Sequence, residues 1–369
     1  MTFNLNFYYP SIEGGGLEKN LFSLINSLSE KKYKINFITY EDNTKLKKFN
    51  ENFYFHKNIN VITSCILPNI KHRYIKYILC SIRLFFLVLT QKGIIVSFQG
   101  NVLPIIIAKI TNNKIIIRCN TAPSKYVDGL IKKFFFKYFY SLSDIILVTS
   151  NDFKKEIKKY FGLTSIVHRQ TLDINKINKK SKIRFNFNFF KKFNGLKIIN
   201  IGRLTHQKDQ MTLLKAFAKL IKFRRARLLL IGNGDDKTNL VEFVNNNKLN
   251  EHVKIISFTS NPFKYISLSD IKVLSSRHEG NPNILLEVAS LKKLIISSNC
   301  KVGPSEILQS GRGGILFKVG DYNQLFLILK KIDIKKKSMK NKIKNSYVYV
   351  KTNFKKDISP LFINLIKNI

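Results

Sequence analysis

Lys197-Ile198-Ile199-Asn200-Ile201-Gly202-Arg203-Leu204-Thr205-His206-Gln207-Lys208-Asp209 reads as a strand that ends in a glycine turn, with a helix from Met211 to Phe223 beyond it. The alternation continues downstream. Arg227 to Ile231 predicts a strand and Thr238 to Asn246 a helix. Val253 to Phe258, Ile271 to Ser275 and Leu294 to Ser298 predict further strands, with a helix from Pro282 to Leu291 before the last. Strands that alternate with helices in this way build βαβ units around a parallel sheet.

The first half follows the same rule. Asn4 to Tyr9 predicts a strand, Leu17 to Ser29 a helix, and Lys34 to Thr39 and Asn60 to Thr63 two strands. After a helix near 74–90 come Gly93 to Phe98, Lys114 to Arg118 and Asp144 to Thr149. These three are Ile/Val-rich runs of the kind buried on both faces of a parallel sheet. Residues 174 to 195 hold Lys, Asn and Phe without a period and predict an interdomain linker. Residues 338 to 369 predict basic helix interrupted at Pro360. The fold class is therefore α/β, with two doubly wound, Rossmann-like domains in series. Such sheets bind ligands at the carboxyl ends of their strands. If the two face each other, the central cleft between them is the site.

A length of 369 residues accommodates two domains. The charge balance is unusual: 64 Lys and Arg stand against 23 Asp and Glu, a formal net charge of +41. Codon bias toward Lys, Asn, Ile and Phe accounts for part of this, but not for the scarcity of acids. Such a field attracts anionic membrane, nucleic acid or phosphorylated substrates. No nucleic-acid module is recognisable, and the aromatics form no single-strand stacking motif. Nucleic acid is therefore not expected as a partner, although a non-enzymatic polyanion binder remains the non-enzyme alternative. Cys65, Cys80, Cys119 and Cys300 are scattered, which predicts neither zinc nor disulfides. Phe3 to Tyr9 lacks the apolar core of a signal peptide. Ile75 to Thr90 carries Lys76 and Arg83 and falls short of the roughly 20 apolar residues of a span, so it predicts a buried or surface-resting helix. Leu130 to Tyr140 sets Lys132, Lys133 and Lys137 among Phe134, Phe135, Phe136, Tyr138, Phe139 and Tyr140, which suits an anionic bilayer surface. A cytoplasmic chain, peripheral on the inner face of the cell membrane, is expected.

Three motifs carry chemistry. Gly14-Gly15-Gly16-Leu17-Glu18-Lys19 follows the first strand and opens a helix, where free N–H groups and a positive dipole end suit a diphosphate or a sugar oxygen. It is not G-x-G-x-x-G, so the nicotinamide fingerprint is not met. Gly202 to Asp209 places Arg203 and Lys208 near a sheet's carboxyl end, where Arg forks onto phosphate oxygens and Lys adds a compact charge. Glu279-Gly280-Asn281-Pro282-Asn283-Ile284-Leu285-Leu286-Glu287 frames a helix start with two carboxylates. Pro282 suits the first helical turn and Asn281 its cap. Carboxylates accept hydrogen bonds from sugar and ribose hydroxyls. His206 and His278 flank these motifs without a metal-ligand partner, and Gly234-Asp235-Asp236 is turn chemistry, so no metal is expected.

With these residues the chain resembles the group 1 glycosyltransferases (family 4), retaining enzymes of the GT-B fold. The resemblance spans nearly the whole chain and is best from 197 to 320: GGLEK, GRLTHQKD, LLLIGNGDD, EGNPNILLE, GPSEIL and GGILF. The GPSEIL stretch is similar to bacterial members acting on polyprenyl-diphosphate-linked or lipid-linked glycans. The resemblance implies an acceptor-binding domain over 1–180 and a nucleotide-sugar-binding domain over 196–350. It also implies a last helix over 351–369 that returns to the first domain. Arg203, Lys208 and Glu279 would be catalytic: the cations neutralise the leaving diphosphate and Glu279 contacts the donor sugar. Gly15, Gly16, Gly202, Gly280, Asn281, Asn283 and Ile284 would bind the donor, and Glu287 its ribose. The family commonly places a His in the first domain against the donor sugar. No His lies between His72 and His168, so either Asn120 or Gln99 supplies that contact. The implied activity is transfer of a sugar from a nucleotide-diphosphate-sugar, with UDP the family's usual carrier, to a lipid-linked or polysaccharide acceptor in cell-surface glycan biosynthesis. No cofactor is implied. A nucleotide-sugar epimerase of the same fold is the enzymatic alternative.

Overall fold

A computed structural model describes residues 4–12, 16–42, 58–65, 70, 72–354 and 357–369. The chain forms two compact units, Met1–Thr171 with Lys356–Ile369, and Leu172–Lys355.

The first unit is built on β1 (Asn4–Tyr8), β2 (Lys34–Thr39), β3 (Ile59–Thr63), β4 (Gly93–Ser97), β5 (Lys114–Arg118), β6 (Ile145–Val148) and β7 (Ile166–Val167), in the order β3-β2-β1-β4-β5-β6-β7. All pairings are parallel, for instance Leu5 beside Ile35 and Ile94. The second unit is built on β8 (Leu196–Ile201), β9 (Ala226–Ile231), β10 (Val253–Ile256), β11 (Ile271–Leu274), β12 (Leu294–Ser298) and β13 (Ile315–Phe317), in the order β10-β9-β8-β11-β12-β13. Both orders are those of a Rossmann sheet. The chain works outward from its first strand to one edge, then resumes on the other side. That reversal lies between β1 and β4, and between β8 and β11, and it opens a crevice at the carboxyl ends.

Period-two alternation gives the second sheet two apolar faces. Ile198, Leu228, Leu230, Ile271, Val273, Leu294 and Ile296 face one core. Ile199, Leu229, Ile231, Leu274 and Ile295 face the other. In the first unit, Leu5, Phe7, Phe37, Val96 and Ile116 share a core with Ile358, Phe362 and Ile366 of the chain's end.

Sequence and structure differ in four places. The span 174–195 is not a bare linker: it carries the Ile174–Ser181 helix, capped by Asp173, and Phe187, Phe189 and Phe190 pack on the second core. Aperiodic Phe residues there serve packing. Pro360 does not interrupt a helix but stands in the first turn of Ser359–Lys367, where a missing N–H is harmless. The site helix runs Asn283–Ser290 with Pro282 as its cap residue, one position later than the spacing predicts. β7 and β13 are too short to announce themselves by period.

Candidate functional site

The crevice between β8 and β11 gathers the second and third motifs. Gly202 N–H donates to the Ile231 carbonyl at 3.0 Å, and Leu204 N–H to the Asn233 carbonyl at 2.8 Å, so the Gly202–Leu204 turn lies flat on the glycine loop after β9. Only glycine permits this approach: a Cβ on Gly232 would stand 1.9 Å from the Gly202 oxygen. The chain then doubles back. Asp209, in the left-handed region at φ 47°, caps the Gln210–Leu220 helix through Thr212 N–H and receives Arg277 Nε at 3.1 Å. The backbone of β11's exit is tied to this turn by Arg277 N–H to the Gln207 carbonyl, 2.9 Å, and by Gln207 Nε2 to the His278 carbonyl, 2.9 Å.

These ties bring Lys208 Nζ to Glu279 Oε1 at 2.6 Å. Ser276 Oγ donates to the same oxygen, also at 2.6 Å. The Glu279 side chain is 6% exposed and that of Lys208 18%, so the pair is largely withdrawn from water yet reachable on the lysine side. Arg203 is exposed beside it, and Gln210 Nε2 holds the Arg203 carbonyl at 2.9 Å. The arrangement offers one exposed guanidinium and one ammonium already neutralised by a buried carboxylate. An arriving diphosphate would compete with Glu279 for that ammonium.

Gly280, Asn281, Asn283, Ile284 and Glu287 are half-buried and follow on the same loop and helix. The GPSEIL stretch supports them from outside: Gly303, at φ 96°, lies so close that a Cβ would meet Pro282 Cδ at 2.7 Å. His206 and His278 are both exposed. His206 lines a pocket of about 370 Å³ with Asp209, Lys215, Asp236, Arg277 and Tyr322, beside the Gln210–Leu220 helix.

One residue of the site is not legible as such in the sequence. Lys272, on β11, pairs with Ile199 and Ile295 in the sheet and is fully buried. Its Nζ donates to the Ile201 carbonyl at 3.3 Å, directly beneath the Gly202 turn. Burial holds the Lys272 amine well below the usual lysine range; the nearby Lys208 charge adds to this, and Glu279 and Glu287 oppose it.

In the first unit the Gln99 amide is engaged at both ends: its Nε2 donates to the Ser11 carbonyl and its Oε1 accepts from Ser11 N–H, both at 3.0 Å, which leaves one N–H and one lone pair over. Gln99 thus bridges the ends of β1 and β4. Asn120 donates to the Phe98 carbonyl at 2.8 Å, while its Oδ1 is buried without a hydrogen-bond partner. Gly16 opens the Gly16–Glu30 helix, and Gly15 lies outside the described residues. Arg118 and His168 are buried together, Nη1 to Nδ1 at 3.3 Å, and burial with the Arg118 charge pushes His168 down to about 3.

The model of the glycosyl transferases group 1 family matches residues 180–348, nearly all of the second unit. The second unit is thus similar to the group 1 glycosyltransferase family. Among relatives, an uncharacterized glycosyltransferase of Methanocaldococcus jannaschii is 36% identical over 225 residues, 56% of this chain and 55% of its own. The N-acetylgalactosamine-N,N'-diacetylbacillosaminyl-diphospho-undecaprenol 4-alpha-N-acetylgalactosaminyltransferase of Campylobacter jejuni is 26% identical over 65% of this chain and 67% of its own. The chain thus spans between about half and two thirds of the length of these relatives. Among solved structures, Anabaena HepE in complex with UDP superposes with a TM-score of 0.78 over 100% of both chains at 14% identity. At that identity the likeness shows the GT-B fold alone.

Proposed function

We propose that this glycosyltransferase is a retaining enzyme that moves a sugar from a UDP-sugar to a lipid-linked or polysaccharide acceptor in cell-surface glycan biosynthesis, at an anionic membrane face. The observation that carries the donor half is the Lys208–Glu279 pair beside exposed Arg203 at the β8–β11 crevice. Loss of a diphosphate leaves charge on oxygens, and cations fixed before the reaction stabilise it without reorganisation. Glu279 keeps the Lys208 ammonium in place until the diphosphate takes it. Glu287 is assigned to the ribose hydroxyls, Gly202, Gly280, Asn281, Asn283 and Ile284 to the donor, and Asn120 Oδ1 to a hydroxyl of sugar or acceptor. Arg203 and Lys208 supply the countercharge, so transfer is expected to survive EDTA. The complex of HepE with UDP supports the carrier, and the diphospho-undecaprenol in the C. jejuni relative's name supports the acceptor class.

The membrane half rests on apolar side chains that a helix leaves in solvent. Arg73–Thr90 turns Lys76, Cys80 and Ser81 inward, with Lys76 on Glu41 at 2.8 Å, and turns Ile78, Ile82, Phe86 and Leu89 to solvent. It packs on Val102–Ile110, which packs on Leu130–Ser141, where Ile131, Phe134 and Tyr138 are exposed, Ile131 by 87%. Between Glu51 and Asp144 the sequence has one acid, Asp128, and thirteen Lys and Arg. Apolar side chains ringed by cations match an anionic bilayer. No helix among the described residues is long and apolar enough to cross a membrane.

The test is a thermal-shift and turnover screen with UDP-, GDP- and ADP-sugars, with Glu287→Ala as control and the product's anomer read by NMR. UDP-sugars are expected to raise the melting temperature of the wild type alone and to give product with the donor's anomeric configuration. No shift with any nucleotide sugar, or conversion of free nucleotide sugar without an acceptor, overturns the reading.

A further inference from the structure

Lys208 and Lys272 converge on one turn from opposite sides. The Lys208 stem lies against Gly202, about 3.8 Å from where a Cβ would stand, and the Lys272 amine holds the carbonyl of the residue before it. Among the described residues no carboxylate forms an ion pair with Lys272; the acids that act on it, Glu279 and Glu287, belong to the proposed donor site. A fully buried lysine in a central strand otherwise made of Ile, Val and Leu is costly, and an apolar residue there would usually do as well or better for stability. We propose that Lys272 is a positioning residue of the donor site, the countercharge that Glu279 receives when a donor diphosphate draws the Lys208 ammonium away.

The inference rests on the donor reading above. In the free protein Lys208 satisfies Glu279, and burial together with the Lys208 charge disfavours the ammonium form of Lys272. When Lys208 turns to the diphosphate, the Glu279 carboxylate is left buried without its cation, at 7% residue exposure. A buried, unpaired carboxylate is strongly disfavoured. Lys272 then takes one proton from solvent, and the Glu279 and Glu287 charges favour the ammonium so formed. The balance is one proton in, none out: no bond other than N–H forms. The charged groups that act on Lys272 are Lys208 on the loop after β8, Glu279 after β11 and Glu287 on the Asn283–Ser290 helix; Cys300, after β12, feels the charges of Glu279 and Lys208. Burial pushes Cys300 up to about 12, with Glu279 next as a cause, so it stays a thiol. Lys293 belongs to a separate group, with Asp270 and Lys197.

Binding of UDP should therefore carry a proton into the protein. The probe is UDP at pH 8.0, where a terminal phosphate with a second pKa of about 6 is already ionised. Calorimetric titration in phosphate and in Tris at that pH separates proton uptake from intrinsic heat. Net proton uptake is expected for the wild type and none for Lys272→Met, which keeps much of the side-chain length without a titratable amine. The wild type alone gives a second reading: its UDP dissociation constant should rise tenfold per pH unit between the free and bound pKa values of the amine. Heat that is the same in both buffers, with a dissociation constant flat in pH, overturns the inference while leaving the donor site standing. Uptake that persists in Lys272→Met also overturns it and assigns the proton elsewhere. Absence of any UDP binding removes the donor reading and this inference with it.

Discussion

Arg203 and Lys208 carry the same charge at the same crevice, yet the structure predicts different mutants. Arg203 is exposed, so if the proposed donor site holds, Arg203→Ala removes a cation offered to the diphosphate and no packing. Its turnover should fall on the order of 10²–10³-fold with an unchanged melting temperature. Lys208→Ala removes a diphosphate contact and also strips a buried carboxylate of its cation. It should lose a similar factor in rate and, in addition, about 1–3 kcal/mol of stability, the usual penalty for a buried group left unsatisfied. Replacing both, as Lys208→Met with Glu279→Gln, should restore most of that stability and none of the rate. Turnover and denaturant titration on the three variants check this, and an Arg203→Ala enzyme with wild-type turnover would remove Arg203 from the site. The sequence makes these residues legible because each motif joins a special backbone to a charge: glycine before Arg203, and two acids framing Pro282 in a chain poor in acids. Lys272 is not legible. One lysine among so many, inside Ile-Lys-Val-Leu, announces neither its burial nor its neighbours, which come from β8, β11 and the Asn283–Ser290 helix at once. The same holds for Gln99: its residue type suits a sugar contact, and only the structure shows its amide tied to Ser11.

At the scale of elements, strands and crossover helices follow from pattern because βαβ units repeat the same local signals. What pattern does not reveal is orientation. Arg73–Thr90 buries Lys76, Cys80 and Ser81 beside Leu84 and Val88, and leaves Ile78, Ile82, Phe86 and Leu89 in solvent beside Arg73 and Arg83. Exposed apolar side chains beside exposed arginines support a bilayer contact more firmly than composition does. Leu130–Ser141 adds Phe134 and Tyr138, 65% and 63% exposed, with Lys132, Lys133 and Lys137 on the same helix. A Phe86→Glu, Phe134→Glu double variant should keep its melting temperature, since both side chains already stand in solvent. Its partition onto vesicles containing phosphatidylglycerol should fall at least tenfold, as burying an aromatic side chain contributes about 1.5–3 kcal/mol. Wild-type binding should weaken with added salt and nearly vanish on neutral phosphatidylcholine, because each near-surface cation contributes about 1 kcal/mol only on anionic lipid. Equal binding of variant and wild type in vesicle sedimentation would take these helices out of the contact.

At the scale of the whole molecule, two units with separate cores should answer to different variables. The second contains the crevice proposed above for the nucleotide. A ligand that binds only its folded form stabilises it by RT ln(1 + [L]/Kd), about 2.7 kcal/mol at a hundredfold excess over Kd. The first contains His168, buried between Arg118 and the Phe362 ring of the returning Ser359–Lys367 helix. Its folded pKa of about 3 lies below the ordinary 6.5. Unfolding therefore takes up a proton anywhere between those values. The stability that neutral His168 contributes is complete above pH 6.5 and drains as the pH falls toward 3. At pH 5 the loss is about 2 kcal/mol, from about 1.4 kcal/mol per pH unit. The chain's end belongs to this same core, so protonation at His168 works against the Ser359–Lys367 helix as well as β5. Calorimetry should then show two transitions. Acid from pH 7.5 to 5.0 should lower the one that UDP does not raise, and His168→Gln should remove most of that acid dependence. If acid lowers both transitions equally, or if His168→Gln keeps the full dependence, the titrating group lies elsewhere and His168 is only a packed ring.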